Sequence, residues 1–281
     1  MNWVIRSGPA ALALFATVLA APVWADSQPK TPPPPPPSYA DLADLADGAP
    51  LVIRAQPRKI VAVEPVRAPG VRAGWGRFYI EAKTEALIAG TAPLGGALAY
   101  LVDLPLDAKG KPPAIKKKSV VLFARAVPGH PGELQLVAPD AQLLWDPVLE
   151  TRIKGVLAEF YASGAPPRIT GVREAIHVSG ELAGEGETQI FLTAANGEPA
   201  AITVSRMPGQ PPRWGVSFSE LVASDSAPRR ESLGWYRLAC FLPRELPAAA
   251  NISSRRADQA RTLEDYALVL AELGACPRTR R

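Results

Sequence analysis

The sequence predicts an α+β protein, mainly antiparallel β, with two helices at about 148–161 and 262–273. Three observations carry that expectation. Short β-branched and aromatic runs recur between Gly and Pro turns in both halves of the chain. Asn196-Gly197 marks a tight hairpin, because both residues tolerate positive φ. Two segments switch to helical spacing of their apolar residues. The chain has 281 residues, 47% of them hydrophobic and 21% charged, which suffices for a sizeable core and excludes a wholly disordered chain.

Residues 1–25 read as a secretory signal peptide. Arg6 supplies the positive start, an apolar run follows from Ala10 to Ala21, and Val23-Trp24-Ala25 is a small-x-small cleavage site. The run is shorter than the roughly 20 residues that a transmembrane helix needs. The mature chain then begins at Asp26, with no stable membrane span once the signal is cleaved. The implied location is periplasmic or secreted. Residues 26–50 read as a proline-rich linker. Six consecutive prolines, Pro32 to Pro37, favour a polyproline II rod, and the Asp-Leu-Ala repeat over Asp41 to Asp47 reads as a solvated spacer or a weak helical turn.

A β-rich N-terminal half is expected over 51–147, with strands at 59–63, 76–82, 97–102, 119–126 and 133–137. Asp146-Pro147 supplies an N-cap acid and a first-turn proline, and Val148, Ile153, Val156, Leu157 and Phe160 continue at helical spacing. The remaining part, 148–277, adds a β-meander through 175–182, 188–193, 200–206 and 214–218, then an apolar run over 235–242 that reads as a central strand. Thr262 with Asp265 reads as a capping-box start to the last helix, with Leu263, Tyr266, Ala267 and Leu270 as its stripe and Gly274 as its stop. Residues 278–281 read as a frayed basic tail. The two halves are candidates for separate β subdomains joined by the first helix.

Export decides how the two cysteines read. An oxidising compartment favours pairing Cys240 with Cys276, and the bridge would pin the last helix onto the preceding strand. There is no Cys-x-x-Cys, so redox catalysis is not expected. Two Cys and two His exclude a zinc site of ordinary composition unless all four converge.

Catalytic motifs are missing. No Gly-x-Ser-x-Gly elbow occurs, and Ser27-x-x-Lys30 lies in the linker. A serine-type triad would need His130, in a Pro-Gly loop, or His177, on a strand. Gly74-Trp75-Gly76 and Gly184-Glu185-Gly186 lack the third glycine of a dinucleotide loop, and Gly110-Lys111 is followed by proline. Asp140 and Asp146 flank Trp145, the nearest approach to a glycosidase pair on a saccharide platform, and Glu81 and Glu85 bracket a strand end. No catalytic residue, cofactor or metal is therefore assigned.

Net charge is +4, or about +3 (30 minus 27) after loss of Arg6. Two basic clusters stand out: Lys109, Lys111, Lys116, Lys117 and Lys118, and Arg54, Arg58, Lys59, Arg67, Arg72 and Arg77. Such patches suit an anionic envelope polymer more than nucleic acid, for which no module is present. Gly186 to Leu192 and Trp235 to Arg244 resemble stretches of uncharacterised exported proteins of alphaproteobacteria. That resemblance implies an exported bacterial context and no activity. The functional expectation is non-catalytic binding or scaffolding at the cell envelope, with an envelope protein or an anionic polymer as partner. The alternative is an envelope hydrolase with a non-motif site.

Overall fold

The computed structural model of the chain describes residues 1, 3, 35–219 and 226–280. The cleavage site and nearly all of the signal sequence, with Pro32 to Pro34, lie outside the described residues. Pro36 to Arg281 form one compact unit.

The first element is a helix, α1 (Tyr39–Asp47), which corrects the reading of 26–50 as linker throughout. Ser38 accepts a hydrogen bond from the Asp41 N–H at 3.1 Å, while its own N–H donates to the Asp41 carboxylate at 2.8 Å. This reciprocal pair satisfies two of the first turn's orphan donors. Leu42 and Leu45 are buried, and so are Tyr39, Ala40 and Ala43. The Asp-Leu-Ala repeat is therefore a packed helix and not a spacer.

Six strands follow: β1 (Leu51–Ala62), β2 (Trp75–Ala89), β3 (Ala97–Pro105), β4 (Val120–Ala126), β5 (Glu133–Leu136) and β6 (Gln142–Leu144). They run in the order β1-β2-β3-β5-β4-β6, and β1 also pairs with β4, which closes five strands into a barrel. β1 to β3 form an antiparallel meander and β4 returns beside β1, a Greek key. The β3–β5 pairing is parallel. Phe78, Ile80, Leu98, Tyr100, Val102 and Leu134 fill the interior. β4 is buried along its first five residues, Val120 to Ala124, because its outer face is covered as well. That explains an apolar run with no alternation.

Helix α2 (Pro147–Phe160) follows the reading of 148–161, with Asp146 accepting from the Leu149 N–H at 2.9 Å. A second sheet then forms from β7 (Ile169–Ser179), β8 (Gly186–Ala194), β9 (Ala200–Arg206) and β10 (Arg213–Ser217), an antiparallel meander in the order β10-β9-β8-β7.

Two corrections concern the C-terminal region. The run over 235–242, read as a central strand, is helix α3 (Leu233–Ala239), started by the Ser232 hydroxyl accepting from the Trp235 N–H. A short apolar run has no periodicity to separate a buried helix from a buried strand. The last helix, α4, spans Arg256–Leu273, so Thr262 and Asp265 lie in its middle and cap nothing. Its buried stripe is Asp258, Thr262, Asp265, Tyr266, Val269 and Leu273, while the expected stripe residue Leu263 is half exposed. The described residues thus hold four α-helices where two were expected. α1, α2 and α3 pack on one another, and α4 lies on β7 and β8.

Nor does the described part of the tail fray. Arg278 makes two hydrogen bonds to Asp44, at 2.6 and 2.9 Å. The N–H groups of Thr279 and Arg280 donate to Asp41 at 3.0 Å, and Arg280 pairs with Asp140 at 2.9 Å. The three aspartates of the repeat hold the end of the chain and α3: Asp44 also accepts from the Tyr236 hydroxyl at 2.7 Å and Asp47 from Arg237 at 2.8 Å.

Candidate functional site

The disulfide is present. Cys240 and Cys276 are bonded with Cα atoms 5.1 Å apart, within the range that a bridge requires. Cys240 is the C-cap of α3, so the bridge ties the segment after α4 to a helix and not to a strand.

The outward face of the barrel carries an open groove of about 680 Å³. Its wall contains Arg77 and Tyr79 of β2, Leu101 and Asp103 of β3, and Glu133 and Gln135 of β5. Strand alternation explains the placement: Phe78, Ile80, Tyr100 and Val102 point inward, so their neighbours point outward. Register puts Val61, Tyr79 and Leu101 side by side across three strands. All three are exposed, at 43%, 38% and 49%. Below that row, Arg77 grips Asp103 with Nε and Nη2 at 2.7 and 2.9 Å. This bidentate pair neutralises the groove's buried acid and leaves an apolar row with a polar rim.

The basic clusters divide. Arg54 pairs with Glu150 at 2.9 Å and Glu85 at 3.5 Å and lies over Trp145. Lys59 pairs with Glu81, Arg72 with Asp140, and Arg77 with Asp103. Four of those six cations are therefore matched by acids. The five lysines in the loop between β3 and β4 are exposed.

The carboxylates read as a possible glycosidase pair are similarly occupied. Asp146 caps α2 and Asp140 holds Arg72 and Arg280. Trp145 donates its indole N–H to Glu150 and lies under Arg54. Among the described residues no group of three or more Cys, His, Asp or Glu side chains could hold a metal ion.

Sequence reasoning missed the main polar cluster. His177 of β7 and Thr188 of β8 are cross-strand partners facing α4. His177 Nδ1 lies 2.8 Å from Thr188 Oγ1, and that hydroxyl donates to Asp265 Oδ2 at 2.5 Å. Arg206 of β9 holds Asp265 Oδ1 through Nε at 2.7 Å and through Nη2. Nearby, Ser253 Oγ accepts from the His177 N–H at 3.1 Å and lies 2.9 Å from Thr262 Oγ1. Thr188, Thr262 and Asp265 are fully buried. Burial pushes the His177 pKa below the usual imidazole value, against the opposing pull of Asp265 and Asp258. The one available signal was polar residues at helical spacing, Asp258, Thr262 and Asp265. His130, by contrast, is an exposed loop residue whose ring lies 3.7 Å from Glu133.

The architecture is a closed five-stranded Greek-key barrel joined to an antiparallel sheet, with an open outward groove and a bridged C-terminal segment, and a fold of this kind by itself assigns no function. No protein-family profile and no curated protein matches the chain. Among the described residues no helix is long and apolar enough to cross a membrane.

Proposed function

We propose that this is an exported envelope protein that works by binding a partner and catalyses nothing. The observation that carries the reading is the solvent-facing row Val61, Tyr79 and Leu101 above the Arg77–Asp103 pair. One kind of partly open five-stranded Greek-key barrel binds oligonucleotides and oligosaccharides across the face of strands 2 and 3, and the analogy of fold supports this face as a site for an extended ligand. An aromatic and two aliphatic groups in line, rimmed by polar side chains, suit an extended segment of an envelope protein. The lysine loop adds attraction for an anionic surface at the other partner class. The disulfide supports an oxidising compartment.

The hydrolase alternative gains less support. The hydroxyl that meets His177 is that of Thr188, which is fully buried and donates to Asp265, so no substrate carbonyl reaches it. No hydroxyl lies within hydrogen-bond distance of Nε2 among the described residues.

The test is made in the host. Intact mass and fractionation should give a soluble periplasmic species beginning at Asp26 with Cys240 and Cys276 joined. A photo-crosslinking residue at position 101 should then give a discrete envelope-protein adduct that Tyr79→Ser abolishes. A cytoplasmic, uncleaved chain would refute export. A properly exported chain giving no adduct, or one indifferent to Tyr79→Ser, would refute the groove as the binding face.

A further inference from the structure

A second cleft, of about 440 Å³, lies under the turn that joins β7 to β8. His177, Ser179, Arg206 and Arg261 line it together with the turn residues 180–185. The His177 side chain is 5% exposed, yet half of its ring chemistry is unused. Because Thr188 Oγ1 gives its own hydrogen to Asp265, it must accept one from His177. The imidazole proton therefore sits on Nδ1, and Nε2 presents a lone pair. Nε2 makes no hydrogen bond among the described residues and is not sealed from solvent.

The backbone keeps that edge open. A Cβ on Gly186 would lie 2.7 Å from both Nε2 and Cε1 of His177 and 3.0 Å from the Val178 carbonyl. Two guanidinium groups share the cleft. Arg206 spends Nε and Nη2 on Asp265, and Arg261 spends Nη1 on Glu264 at 2.6 Å. Nη1 of Arg206, and Nε and Nη2 of Arg261, have no partner among the described residues.

We propose that this cleft binds a small monoanionic oxyanion carrying a proton, the singly protonated phosphoryl head of a larger ligand. Its O–H meets His177 Nε2, and its other oxygens accept from Arg206 and Arg261. The surrounding charge selects the monoanion. Asp265 and Asp258 are matched by Arg206 and Arg255. Glu185 accepts from the Leu182 N–H, and its carboxylate, with exposed Glu181, opposes a dianion. The single imidazole gives no basis for a metal.

The chain's two histidines make the test self-referenced, since His130 is exposed on the barrel and outside this cleft. The imidazole Hε1 protons are followed by NMR on the full chain at about pH 6, near the ordinary imidazole value. Inorganic phosphate, mainly the protonated monoanion at that pH, is raised to about 50 mM at constant ionic strength, a range that captures millimolar sites, with acetate as the anion that has no O–H. A saturable shift of the His177 proton with His130 unmoved is expected. Acetate, with no proton to give Nε2, should bind more weakly than phosphate. Arg261→Gln, at a partly exposed side chain, should weaken the binding about tenfold. The proposal is overturned if phosphate does not move His177, if acetate binds as tightly as phosphate, if both histidines shift alike, or if Arg261→Gln binds as well as the parent.

Discussion

The barrel and the four-stranded sheet solve the same packing problem by different means. Inside the barrel, Phe78, Ile80, Val102 and Leu134 make an apolar core in which the Tyr100 hydroxyl donates to Gln142 at 2.7 Å. Between the sheet and α4, one end of the interface is apolar, with Ile190, Ile202, Val269 and Leu273, while the other buries His177, Thr188, Thr262 and Asp265. An apolar core is specified by volume and tolerates exchange of shape. A buried polar network is specified by partners, and one missing partner exposes the desolvation cost of the rest. The sheet–α4 junction is therefore the more demanding half of the molecule, and it is also the half with unspent hydrogen-bonding capacity.

The sharpest way to test that contrast is to damage each half once. Phe78 is buried, and Phe78→Ala should cost about 4 kcal/mol in urea unfolding, through lost transfer energy and a residual cavity. Asp265→Ala should cost about 3 kcal/mol although it removes far less volume, because Arg206 and Thr188 lose their acceptor. The comparison is refined by shape-conserving changes. Phe78→Leu should recover most of the barrel loss, whereas Asp265→Asn should recover little, since an amide presents one acceptor oxygen where the carboxylate uses two. Equal recovery at both sites would remove the distinction.

The disulfide comes next. The bridge spans 36 residues, and reducing it should lower stability by about 4 kcal/mol in the chain-entropy picture. The loss should fall on the helical side. Arg278, Thr279 and Arg280, which reach Asp44, Asp41 and Asp140, follow directly on the bridged Cys276. Hydrogen exchange should therefore quicken in α1 before it does in the barrel. Uniform quickening would show that the tail clip carries no local stability.

What was legible in the sequence follows the same division. The barrel strands were found because Phe78 and Ile80 alternate with Arg77, Tyr79 and Glu81, and α2 because Asp146-Pro147 announces it. The disulfide followed from there being two cysteines and from the expectation of export. The failures share a cause: polar residues were assigned to solvent. Asp41 was read as spacer although Ser38-x-x-Asp41 is a capping box, and Thr262 and Asp265 were read as a cap although both are buried. Assigning the stripe of α4 by apolar residues alone turned the helix away from its true face. Pairing across 70 or more residues, as from His177 to Ser253, leaves no local pattern to read.

The smallest effect expected is also the most diagnostic of the polar junction. Burial holds the folded-state pKa of His177 below its ordinary value near 6.5. The unfolded chain therefore takes up a proton there before the folded protein does. Stability from this group is fully present above about pH 6.5 and declines as pH falls from there toward the depressed folded value. The carboxylates act elsewhere. Desolvation pushes Asp41 upward, but the hydrogen bonds from Thr279, Arg280 and Ser38 win and lower it. Asp258 is lowered chiefly by its hydrogen bond from Arg255. Both contributions hold above the unfolded carboxylate value near 3.9 and fade only below it. The window between about pH 7 and pH 5 thus isolates the imidazole. Urea midpoints should fall across it in the parent and stay nearly level in His177→Gln. In Thr188→Val the imidazole loses its Nδ1 acceptor, so the variant should start lower by about 2 kcal/mol. It should still decline as pH falls, because burial remains. A level parent, or a His177→Gln variant that declines as steeply as the parent, would place the titrating group outside this junction and leave the network a static brace.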